Sequence, residues 1–142
     1  MFEKPSLIRR VAIAKTVGFV FGLIGFFIIP IMSPNEGMMV RFGILLWYGT
    51  LGAIVGMFGV MTYHPVLKMP MPWWFRSGVM GGWMNFVLLL FTYDRFAAMM
   101  TDYFGPSAPS PWWMVLEGVG VGLVCGYFAT RFGGEGKELL DS

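Results

Sequence analysis

The segment Trp112 to Phe132, WWMVLEGVGVGLVCGYFATRF, decides the fold. At 100° per residue, Gly118, Gly122, Cys125, Gly126 and Ala129 fall within an arc of about 100°, so one side of this helix carries almost no side chain. In water each such glycine costs roughly 0.8 to 1 kcal/mol relative to alanine. In a bilayer the same bare side lets two backbones touch and gain dispersion contacts, so it reads as a packing seam inside a membrane bundle.

Three more segments repeat the pattern. Ala14, Gly18, Gly22 and Gly25 share a face of residues 11–32. Gly49, Gly52, Ala53, Gly56 and Gly59 lie within about 120° of arc on 42–63, and Gly78, Gly81, Gly82, Asn85 and Thr92 share a face of 77–93. The expected fold class is all-α: an integral membrane protein with four transmembrane helices packed through glycine faces. The spans fall at about 11–32, 42–63, 77–93 and 112–132, one domain over 11–132. The packing residues are Gly18, Gly22, Gly52, Gly56, Gly78, Gly82, Gly118, Gly122 and Gly126. A faint echo of Gly52-Ala-Ile-Val-Gly56-Met-Phe58 in Gly122-Leu-Val-Cys-Gly126-Tyr-Phe128 suggests two helical hairpins related by a parallel repeat.

The flanks are polar. Residues 1–10 read as an amphipathic lead-in lying on the membrane surface, in which Ser6 caps a helix starting near Leu7. Residues 133–142 read as a polar tail after a Gly133-Gly134 helix stop. The uncharged run Thr16 to Met32 is longer than a signal-peptide core and ends without a small-x-small cleavage site, so the first span is expected to be retained. The stretch HPVLKMPMPWWFR, 64–76, should be extended because its prolines cannot donate backbone hydrogen bonds. Asp94-Arg95 is read as closing the third span, which makes the stretch up to Pro111 the longest connection.

Composition restricts the function. Of 142 residues 56% are hydrophobic and 13% charged, where a soluble domain carries about 25% charge. Eight of the ten Lys and Arg (Lys4, Arg9, Arg10, Lys15, Lys68, Arg76, Arg131 and Lys137) flank one side of the spans, and only Arg41 and Arg95 flank the other. The positive-inside rule then places both termini in the cytoplasm, as in a bacterial inner-membrane protein. A net charge of +2 without a basic, aromatic-interleaved patch argues against nucleic acid.

Few residues invite chemistry. Glu117 lies four or five residues inside the Trp112-Trp113 belt, about 6 to 8 Å deep, and an acid there either pairs with Arg41 or Arg95 or faces a partner protein. Asn85, near the middle of its span, needs a hydrogen-bond partner; with Thr92 it either joins helices or lines a polar route. The single cysteine, Cys125, reads as a small buried hydrophobe. Met69 and Met71 are soft ligands near His64, but without a Cys-x-x-Cys or His cluster no metal and no cofactor is assigned. No catalytic constellation appears, so the expected protein is not an enzyme. It is an accessory or assembly subunit that docks by helix faces, in the lipid bilayer, onto other membrane protein subunits. The alternative is a small homo-oligomeric transporter or channel with a route through Asn85, Thr92 and Glu117, and Asn85→Leu should separate the two.

Overall fold

Ser6 has extended backbone, and its Oγ accepts the Arg9 N–H at 3.0 Å. That N-cap starts α1, Leu7–Met32. The computed structural model describes residues 6–134 and is mostly helical. After α1 come α2, Met38–Met57, continued by a 3-10 turn Phe58–Val60, then a minimal antiparallel hairpin of β1, Tyr63–His64, and β2, Met69–Pro70. The chain ends with α3, Trp73–Phe104, and α4, Trp113–Gly133. Three segments, Leu7–Met32, Met38–Val60 and Trp113–Gly133, are long and apolar enough to cross a membrane.

Helix α3 differs from expectation. It has 32 residues, about 48 Å at 1.5 Å per residue, and runs past Asp94-Arg95 to Phe104. Phe96, Met99 and Met100, spaced for one helical face, are buried, while Asp94, Arg95 and Asp102 are exposed. The charges are the wet face of a continuing amphipathic helix rather than its end. Ser33 fastens this extension, its Oγ donating to Asp102 Oδ2 at 2.8 Å. The longest connection is therefore the one between α2 and α3. His64 holds it in shape, its Nδ1 accepting the Leu67 N–H at 2.9 Å and the Val66 N–H at 3.2 Å. The polar tail expected over 133–142 starts later, because Gly133 belongs to α4, and 135–142 with Lys137 lie outside the described residues.

The helices pair as α1 with α2 and α3 with α4, and α1 against α4 joins the two pairs. A methyl group on Gly18 would overlap the Tyr48 carbonyl oxygen and lie 3.2 Å from the Gly52 Cα; one on Gly52 would overlap the Ala14 carbonyl. In the second pair a methyl on Gly81 would overlap the Gly118 carbonyl oxygen and lie 3.0 Å from the Gly122 Cα, and one on Gly122 would overlap the Ser77 carbonyl. Ala14, Gly18, Tyr48 and Gly52 thus occupy the places in one hairpin that Ser77, Gly81, Gly118 and Gly122 occupy in the other. The offset is 63 residues between α1 and α3 and 70 between α2 and α4. Gly56 and Gly126 continue the series.

Two of the proposed packing residues sit off this line. Gly78 meets only Val119 and Leu123 methyl groups, at 3.5 Å, and Gly82 faces a Val119 methyl group at 2.7 Å. The close row of α3 is Ser77, Gly81 and Asn85, spaced by four; Gly78 and Gly82 lie one residue, about 100°, round the helix.

Candidate functional site

Two buried polar constellations occupy the bundle. The first is built on Arg10, which is 0% exposed where a surface lead-in was expected. Its Nε–H donates to the Gly56 carbonyl at 2.9 Å, and Nη1 donates to Thr130 Oγ1 at 2.8 Å and to the Gly134 carbonyl at 2.7 Å. Gly56 and Gly134 stand at the C-terminal ends of α2 and α4, where helix carbonyls lack intrahelical partners and the dipoles are negative. One guanidinium serves both ends. Gly59 and Gly133 make the room, since a methyl on Gly59 would overlap the Arg10 side chain and one on Gly133 would lie 2.7 Å from the Arg10 Cα.

The second constellation is central. Asn85 is 0% exposed. Its Oδ1 accepts the Trp47 Nε1–H at 3.0 Å, and its Nδ2 donates to the Met114 carbonyl at 2.8 Å and to the Tyr48 hydroxyl oxygen at 3.4 Å. An indole N–H only donates and a carbonyl only accepts, so these two partners dictate which way the amide points. The Tyr48 oxygen therefore receives a hydrogen bond from Asn85, and its own O–H donates to Glu117. The chain of donors runs one way and ends on a carboxyl oxygen. Gly118 gives the amide its access to Met114, because a methyl there would lie 2.8 Å from the Asn85 Cγ.

Neither arginine proposed for Glu117 reaches it. The Arg41 Nε–H donates to the Phe26 carbonyl at 2.9 Å and the guanidinium lies 4.2 Å from the Phe26 ring. Pro30 explains this: it stands four residues after Phe26 inside α1 and has no N–H to give that carbonyl, so Arg41 supplies the missing donor. Arg95 Nε lies 3.4 Å from Glu36 Oε2 in the turn after α1. Thr92 also stands apart, its hydroxyl donating to the Leu88 carbonyl of its own helix at 2.7 Å. Cys125 is wholly buried.

Beside the network lies a cavity of about 580 Å³. Phe21 and Ile28 of α1, Ile44 of α2, and Phe96 and Met99 of the α3 extension line it, and α4 contributes Trp113, Glu117 and Val121. Glu117 is the one charged side chain in that lining; Tyr48 is beside it.

No protein-family model, curated protein or solved structure matches this chain. The site is read from its own geometry.

Three residues of these constellations escaped the sequence reading, and each left a signal. Arg10 stands four residues before Ala14 on the row that continues through Gly18 and Gly22, so it lies on the buried face of its helix. Trp47 and Tyr48 sit in the middle of a span rather than at its edge, where the N–H and O–H of a buried aromatic need partners.

Proposed function

We propose that this chain is a non-enzymatic subunit of a larger membrane complex, anchored by four spans and docking through its outer helix faces. The fourth span is the uncharged stretch Ser77 to Tyr93 of α3, and the glycine seams would hold the four helices together in lipid. The starts of α1 and α3 and the end of α4 share one end of the bundle, through contacts of Arg10 with Gly134 and of Trp73 with Tyr127. That end carries Arg9, Arg10, Arg76 and Arg131, which favours a cytoplasmic position for it, in a membrane such as the bacterial inner membrane.

The observation that carries the subunit reading is the engagement of Asn85 and Thr92 within the protein. Asn85 makes three hydrogen bonds within the protein and Thr92 bonds its own helix, so two of the three residues a hydrated route would use are already engaged. Outward, Phe27, Phe42, Trp83, Phe91, Leu116 and Phe132 are exposed, a surface suited to lipid or to another protein's helices.

Crosslinking and mass spectrometry of native membranes at natural expression test the reading. Recovery of this chain with the same larger assembly in each preparation is expected; recovery alone would overturn it. A solute flux in proteoliposomes would favour the transporter instead. Asn85→Leu does not separate these outcomes, because it would also strand Trp47 and Met114.

A further inference from the structure

The packing of the helices leaves one chemical feature of the central cavity without a use. Glu117 receives the Tyr48 hydroxyl on one oxygen, and among the described residues its other oxygen has neither a hydrogen bond nor an ion pair. The residue lines a hollow that is otherwise almost entirely apolar. An isolated carboxylate in such surroundings is costly unless a proton or a cation joins it, and a protonated amine brings both to the same oxygen. The chain's own nearby cations are committed elsewhere, Arg41 to Phe26 and Arg95 to Glu36.

We propose that the cavity binds a lipid-soluble amine, a hydrophobic body with one protonated nitrogen that pairs with Glu117. The volume of about 580 Å³ falls within the roughly 300 to 1,000 Å³ of small-molecule sites. The direction of the hydrogen bonds selects the head group: Trp47, Asn85 and Tyr48 deliver donors in sequence, and the series ends on an acceptor that an ammonium group complements. Phe21, Phe96 and Trp113 in the lining add ring faces that attract a cation. Ile24 and Ile28 of α1 are 50% and 41% exposed while also lining the cavity, as does exposed Gly120 of α4. The opening therefore lies between α1 and α4 on an apolar face, and the ligand enters from lipid rather than from water. This site does not depend on the subunit reading.

The test uses the full chain in phosphatidylcholine nanodiscs, with radiolabelled dodecylamine, dodecanol and dodecanoate as probes and empty nanodiscs as background. Saturable binding of dodecylamine is expected, with dodecanol weaker by about tenfold or more and dodecanoate not retained. Glu117→Gln keeps the side-chain shape but removes the charge, and should weaken dodecylamine binding by about tenfold or more. Gly120→Phe should abolish it with helical circular dichroism unchanged, since nothing lies within 4 Å of a methyl placed at Gly120 and the larger ring can fill the hollow. Absence of saturable binding, equal binding of the three probes, or binding that survives Gly120→Phe would each overturn the proposal. So would full binding by a folded Glu117→Gln; should that variant fail to fold, the head-group comparison and Gly120→Phe decide.

Discussion

The two hairpins share one backbone crossing and part company one row beyond it. Offset by 63 and 70 residues, Gly18 against Tyr48 and Gly52 in the first matches Gly81 against Gly118 and Gly122 in the second. One turn further along the first helix of each pair the match breaks. At Gly22 in α1 a methyl would lie 2.9 Å from the Leu45 Cα, so the backbones stay in contact; the equivalent residue of α3 is Asn85, whose amide occupies that space and bonds Met114. At this row the first hairpin is closed by main chain, whereas the second carries a buried polar side chain that recruits Trp47 and Tyr48 from the first. One polar side chain within a repeated frame thus adds a link between the two hairpins.

That contrast can be broken most severely at the seams. Gly52→Leu and Gly122→Leu each drive a side chain into a backbone carbonyl, a site with no flexible neighbour to give way, and each should cost about 3 kcal/mol or more. Both are expected to lose the folded bundle in detergent, followed by thermal unfolding and size-exclusion chromatography. Loss at Gly122 with tolerance at Gly52 would mean that the two seams are not equivalent.

Arg10→Met tests the other junction between the hairpins. It strands the acceptors at Gly56, Thr130 and Gly134, and each buried acceptor left unsatisfied costs about 1 to 3 kcal/mol. Arg10→Lys should recover only part of the lost thermal stability, because a point ammonium cannot reproduce the fork of the guanidinium.

A smaller effect is expected at the row where the hairpins differ. Asn85→Leu should destabilise by about 1 to 3 kcal/mol through the orphaned Trp47 N–H and Met114 carbonyl. A double-mutant cycle of Asn85→Leu with Trp47→Phe should give a coupling of about 0.5 to 2 kcal/mol. Additivity in that cycle would show that the indole bond does not link the hairpins. The smallest effect belongs to Gly78→Ala. The site offers ordinary contacts at 3.5 Å, so the substitution should change stability by less than about 1 kcal/mol, while Gly81→Ala, three residues away, disrupts the bundle.

Much of this architecture is legible in the sequence because helical rows of small residues report where backbones meet. Gly118, Gly122 and Gly126 identify one side of α4 without any knowledge of its neighbour. The extension of α3 was hidden by reading Asp94 and Arg95 as an end signal, although Phe96, Met99 and Met100 keep helical spacing beyond them. Asn85 could be recognised as needing a partner, but not which one, because an amide on a helix face specifies a need rather than an address. The same limit misassigned Glu117. Charge suggested an arginine, yet Pro30 orphaned the Phe26 carbonyl and drew Arg41 away, while Glu36 took Arg95.

The amino-acid sequence by itself determined the helical segments, three of them long and apolar enough to cross a membrane, the bare rows along them and the cap at Ser6, since these follow from periodicity and local hydrogen bonding within a few residues. Only the tertiary structure decided that Arg10 joins two helix ends, that Asn85 orders a one-way chain of donors ending on Glu117, and that a cavity opens beside it. Those features depend on groups separated by up to 124 residues, and which distant groups meet is set by how the helices cross, a property that no single helix carries.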